Sequence, residues 1–156
     1  MSHANNTIDF TGTVAETTCS ASIDNNASSI EMGTVSVADL TANVYSAAKN
    51  FSFTLAGCPT GEGALTKARI TFGGEADKFN SDYFRNQATG TPATNVAVAI
   101  FDGAGVLQKN NTEGSDVDIS SGEATIPFIV KMAKSGSSAP TKGPVKTTVT
   151  YNVTYY

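Results

Sequence analysis

A chain of 156 residues with a formal net charge of -4 and only 15% charged residues fits one domain, and it carries none of the basic runs that nucleic acid selects. Its apolar runs stop well short of the roughly 20 residues a membrane-spanning helix needs. The single histidine, His3, and two cysteines outside any CxxC pattern make a zinc-type site untenable, and a chain rich in Thr, Ser, Gly, Val and Asn with no Trp favours strands and turns.

Met1-Ser2-His3 reads as a scar ahead of a mature chain, so residues 1–3 are set apart. Thr7-Ile8-Asp9-Phe10-Thr11-Gly12-Thr13-Val14 then alternates apolar and polar residues, the period of a strand with one buried face. Ile8, Phe10, Gly12 and Val14 share that face. Gly12 stands where an inward side chain is expected, and glycine inside a strand marks a bulge or the close approach of another backbone. Cys19-Ser20-Ala21-Ser22-Ile23 and Ser29-Ile30-Glu31-Met32 read as short strands, and residues 35–48 as one short helix or a loop. Phe51-Ser52-Phe53-Thr54-Leu55 alternates strictly and ends at Gly57-Cys58-Pro59. Ala68-Arg69-Ile70-Thr71-Phe72, Val96-Ala97-Val98-Ala99-Ile100-Phe101, Val117-Asp118-Ile119 and a run from Thr125 through Met132 follow. Pro127 has no N–H for a ladder, so an edge or bulge is predicted there. A Ser/Gly/Pro-rich loop over residues 135–144 leads to Val149-Thr150-Tyr151-Asn152-Val153-Thr154-Tyr155-Tyr156, a second clean alternation. Many short strands with frequent turns read as an all-β sandwich.

Chemistry is sparse along the chain. Asp116 and Asp118 near Glu113 lack EF-hand spacing, and Asp77, Asp82 and Glu75 lie in a polar, Gly- and Asn-rich stretch. Both sets read as solvated loop carboxylates. Without a histidine in the mature domain, no Ser-His-Asp triad can form. An enzyme is not expected, and no cofactor is implied. Cys19 and Cys58 leave two readings, buried free thiols or one disulfide in an oxidising compartment. Each lies at the end of a strand-like run, which favours the bridge. Three aromatic residues, Tyr45, Tyr83 and Phe84, could furnish a sugar-stacking surface.

The two ends of the chain hold its cleanest strand signals, although termini fray unless something ties them down. Alternation alone leaves two possibilities: ordinary strands of a closed sandwich, or strands that pair with another molecule.

On these motifs the chain resembles the pilin subunits of type 1-like fimbriae assembled by the chaperone–usher pathway. The N-terminal run with Gly12, followed by Cys19, resembles that family's donor strand. Phe53-Thr54-Leu55-Ala56-Gly57-Cys58, Thr94-Asn95-Val96, Ile126-Pro127-Phe128 and the C-terminal run with its penultimate Tyr155 resemble further family segments, in the right order. The resemblance implies an immunoglobulin-like sandwich lacking its last strand. Residues 4–17 would be a donor-strand extension and residues 18–156 the pilin domain. Ile8, Phe10, Gly12 and Val14 would enter the groove of a neighbouring subunit, and Tyr151, Val153, Tyr155 and Tyr156 would line the acceptor groove and meet a periplasmic chaperone. The C-terminal strand would then be the wall of a vacant groove rather than the partner of its own N-terminus. The implied partners are other pilin subunits, the chaperone and an outer-membrane usher, with a host-surface receptor reached only through the assembled fibre. The implied location is an extracellular fimbrium reached via the periplasm. The expected role is a structural fimbrial subunit, the major shaft subunit before a minor adaptor or an adhesive, carbohydrate-binding one.

Overall fold

The computed structural model describes residues 6–12, 19–24 and 27–156. Its strands are β1 (Thr7–Gly12), β2 (Ser20–Ile23), β3 (Ser29–Glu31), β4 (Lys49–Ala56), β5 (Lys67–Gly73), β6 (Phe84–Arg85), β7 (Val96–Asp102), β8 (Thr112–Glu113), β9 (Val117–Asp118), β10 (Ala124–Lys134) and β11 (Lys146–Tyr155), with one helix, α1 (Val37–Asn43). One sheet runs β3-β1-β11-β5-β8, with β9 also on β5; the other runs β2-β4-β10-β7-β6.

Alternation builds the core between them. Phe51, Phe53 and Leu55 of β4, Phe128, Val130 and Met132 of β10, Ile70 and Phe72 of β5 and Val149 of β11 join one buried cluster. Burying each such side chain contributes about 1.5–3 kcal/mol. Strand β7 is buried on both faces. Val96, Val98 and Ile100 face the core, while Ala97, Ala99 and Phe101 form a second cluster with Tyr83 and Ala133. That is why β7 reads as a continuous apolar run.

The undecided stretch 35–48 resolves into α1. The Ser36 hydroxyl accepts the Asp39 N–H at 3.0 Å as an N-cap, Leu40 enters the core, and Val44 at φ 68° ends the helix. Strand β10 is central in its sheet, yet Pro127 sits one residue outside its ladder with β7, which begins at Phe128. The missing N–H therefore breaks no rung on that side. Strands β6 and β8, two residues each, carry too little pattern to be legible in the sequence.

Cys19 and Cys58 form a disulfide, with Cα atoms 4.2 Å apart. They continue the antiparallel ladder of β2 and β4, in which Ser20 faces Ala56. The bridge between neighbouring strands was the favoured sequence reading. In the chain-entropy model a closed loop of 39 residues is worth about 4 kcal/mol. The double variant Cys19→Ala, Cys58→Ala should lose about that much unfolding free energy in urea titration.

Candidate functional site: a slot filled by the N-terminal strand

Strand β1 lies between β3 and β11, which are not neighbours of each other. It pairs antiparallel with β3, Ile8 facing Ile30, and parallel with β11, from Thr7 facing Lys146 to Gly12 facing Tyr151. Backbone bonds at both margins extend the ladders: Thr7 N–H to Val145 O at 3.0 Å, Phe10 N–H to Ser28 O at 3.0 Å and Met32 N–H to Asn6 O at 2.9 Å. Taking β1 out would leave a slot one strand wide. The expectation that the groove beside the C-terminal strand stands vacant is therefore corrected: the chain's own N-terminal strand occupies it. The physical reason is that a tethered strand is always at high effective concentration near its own slot.

The inward face of β1 fills the slot as its alternation demands. Ile8 is 0% and Phe10 6% exposed. The Phe10 ring meets Phe51 at 5.2 Å and Phe72 at 5.8 Å between centroids, and Phe51 stacks on Phe128 at 5.6 Å. Asp9, on the outward face, pairs with Lys146 at 3.5 Å. Both groups are partly in solvent, where such a pair is worth less than about 1 kcal/mol. Gly12 is described only in its backbone pairing with Tyr151. Val14 lies outside the described residues.

Under Ile8 sits Thr147, 1% exposed, on the inward face of β11. Its hydroxyl has no hydrogen-bond partner among the described residues. Leaving a buried hydroxyl unpaired costs about 1–3 kcal/mol. Next to the start of β1 opens a cavity of about 240 Å³, lined by Leu40, Val96, Met132 and Val145 with Asn6 at its edge. The slot is thus incompletely matched to the strand that fills it.

The acceptor residues expected from the sequence lie along β11. Tyr151 is half-buried, its ring 5.0 Å from that of Phe53. Val153 and Tyr155, also half-buried, fall beyond the reach of β1: residues 152–155 pair with β5 alone among the described residues. Tyr156 lies past the strand. Its N–H donates to Lys67 O at 2.8 Å, and its carbonyl accepts from the N–H groups of Thr66 and Lys67, both at 3.0 Å. Its hydroxyl donates to Glu113 at 2.9 Å, and the Arg69 guanidinium lies 4.6 Å from its ring centroid. Arg69 also binds Asp116 at 2.6 Å. The sequence reading missed Asn6, Thr147 and Arg69. Asn6 carries the signal that could have found it, since it is the polar residue in phase with Ile8 and Phe10.

The other candidates from the sequence serve the fold. Glu113 and Asp116 bind Arg69, Glu75 binds Arg85, and Asp77 accepts the N–H groups of Phe79 and Asn80. No cluster of three or more His, Cys, Asp or Glu suited to a metal occurs among the described residues. Phe84 is fully buried, and the nearly buried Tyr83 shares a 2.6 Å hydroxyl contact with Tyr45. Those rings present no open stacking platform.

The chain matches the fimbrial protein family over residues 8–156, so it belongs to that family. It is 30% identical to fimbrial subunit type 1 of Klebsiella pneumoniae, over 96% of this chain and 82% of the relative. It is 27% identical to a probable major fimbrial subunit, LpfA, of Escherichia coli O157:H7, over 96% of this chain and 83% of the relative. The fold matches the crystal structure of the P pilus rod subunit PapA with a TM-score of 0.73 and 24% identity, over 88% of this chain and 99% of that one. The chain is a fimbrial subunit with an immunoglobulin-like sandwich, and its relatives are structural proteins rather than enzymes.

Two outcomes follow from this geometry. Phe10→Ala should destabilise the domain by about 3–5 kcal/mol in urea titration, against less than about 1 kcal/mol for Asp9→Ala. The Tyr156 hydroxyl, then Arg69, hold the Glu113 carboxyl below its ordinary value of 4.5. Its contribution is therefore complete above pH 4.5 and fades as the pH falls through the lower folded value. Amide exchange, corrected for intrinsic rates, should show the Tyr156 N–H less protected at pH 3 than at pH 7, with no such change in Glu113→Gln.

Proposed function

We propose that this subunit polymerises by donor-strand exchange, its N-terminal strand leaving its own slot to fill that of a neighbour. One observation carries the reading: β1 is an internal strand of its sheet, holds large buried side chains, and fills the slot between β3 and β11. A strand so placed can be replaced by the same strand of another copy, which would take over the pairing with both β3 and β11. This is the strand-addition mode of recognition, in which main-chain hydrogen bonds give affinity and pockets for alternate side chains give specificity.

The mismatches of the self-inserted state favour a reversed strand. Parallel pairing is slightly weaker per residue than antiparallel. If the incoming strand keeps Phe10 opposite Val149 and runs the other way, Ile8 meets Tyr151, Gly12 passes over Thr147, and Val14 meets Val145 beside the cavity. The polar half of that run, residues 4–7, would cover Val153 and Tyr155. Gly12 then removes the aliphatic cover from the Thr147 hydroxyl, and Val14 brings apolar volume to an apolar cavity.

An emptied slot would expose Phe51, Phe72 and the edge of β11, a ready template for aggregation. A periplasmic chaperone that fills the slot during export, and an outer-membrane usher that hands subunits on, meet that requirement. The subunit then belongs to an extracellular fimbrium reached via the periplasm, and any host-surface receptor is met only through the assembled fibre. Homopolymer formation suits a major shaft subunit, in keeping with the name of the Escherichia coli O157:H7 relative.

The reading is tested by deleting residues 1–14 and adding a synthetic peptide of residues 5–17. A kinetically stable one-to-one complex with a large rise in melting temperature is expected. A truncated domain that is already closed and ignores the peptide would end the donor-strand reading. A Gly12→Leu peptide should fail to form the complex, while the Gly12→Leu subunit still accepts the wild-type peptide.

A further inference from the structure

Asn6 is the residue that the groove's apolar logic does not explain. It precedes β1, points inward in phase with Ile8 and Phe10, and is 9% exposed beside a cavity lined by Leu40, Met132 and Val145. Its side chain works in two directions at once. The amide N–H donates to Gly33 O at 2.7 Å, and the amide oxygen accepts the Val145 N–H at 3.0 Å. Its own carbonyl accepts the Met32 N–H at 2.9 Å. One residue thereby adds a rung to the ladder with β3 and another to the ladder with β11. Among side chains of this length only Asn offers both a donor and an acceptor.

We propose that Asn6 selects which strand occupies the slot, acting as a polar lock on the parallel, self-inserted strand. The lock is specific to direction. In the reversed register described above, Asn6 falls opposite Val153, at the half-exposed end of β11, and Val14 takes its place beside Val145. The Val145 N–H then loses its side-chain acceptor. A buried polar residue of this kind specifies register at a cost in apolar contact, as a single buried Asn does in a coiled coil. Either direction buries Ile8 and Phe10, so the amide is what favours the self-inserted strand over the reversed one. The half concerning a neighbour relies on the donor-strand reading; the half concerning the monomer does not.

The test uses the full-length monomer and the variants Asn6→Ala and Asn6→Asp, with Ile119→Val as a core variant remote from the slot. Amide hydrogen exchange is read residue by residue, and capture of a labelled peptide of residues 5–17 is timed. In Asn6→Ala, the amides of residues 145–149 should exchange about 10- to 100-fold faster, the span of one buried hydrogen bond left unmade, while those of β10 stay unchanged. Asn6→Asp keeps the acceptor and loses the donor, and should fall between. Peptide capture should accelerate in the same order. Ile119→Val should raise exchange in both sheets together. The proposal is overturned if Asn6→Ala leaves residues 145–149 as protected as before, or loosens β10 equally. Local loosening in Asn6→Ala with no peptide capture by any variant would uphold the lock and reject the donor-strand reading.

Discussion

The sandwich depends on one constraint: the sheet that contains β11 is not continuous without a strand between β3 and β11. Sheet edges and inward apolar faces cannot be left to water without loss of ladder bonds and of buried area. The rest of the structure follows from that demand. The aromatic group of Phe51, Phe72 and Phe128 forms the floor on which Phe10 rests. Strand β3, only three residues long, forms the weaker wall, and β11 the stronger one.

The body that holds the slot is fixed by independent means. The disulfide ties the start of β2 to the end of β4, and Cys19 stands at the root of the arm that carries β1. At the far end of β11, Tyr156 is held by the backbone of Thr66 and Lys67 and by Arg69 and Glu113. Those groups are exposed, so their worth lies in alignment more than in free energy. The β11 wall therefore keeps its position by contacts that do not involve β1, whereas β3 pairs with β1 alone among the described residues. The β11 side of the frame is thus fixed independently of the strand that fills the slot.

The same strand is imperfectly suited to its own slot. Opposite Ile8, Thr147 keeps a buried hydroxyl without a partner among the described residues, and a cavity remains beside Val145. Against these stand the amide of Asn6, the Asp9–Lys146 pair and the advantage of a tethered strand. The strand is thus held in its slot, yet not optimally. Marginal differences of this size are enough, since about 1.4 kcal/mol changes a population tenfold.

Much of the fold was legible along the chain because strand alternation is a local property. Phe51, Phe53 and Leu55, or Ile8 and Phe10, announce a buried face by spacing alone, and Gly57 and Pro59 mark where a strand stops. The pairing of Cys19 with Cys58 was within reach for the same reason, as each follows or ends such a run. Strands β6 and β8 were not legible, because two positions hold no period, and neither were Thr147 and Arg69, whose roles come from neighbours distant in sequence. By itself the sequence determined that both ends of the chain are strands and which of their faces is apolar, since side chains alternate whatever the strand pairs with. Only the tertiary structure decided that the two ends lie side by side, in parallel, with Asn6 bridging β3 and β11. Direction and partner depend on where the rest of the chain places the slot, and no spacing within a strand records that.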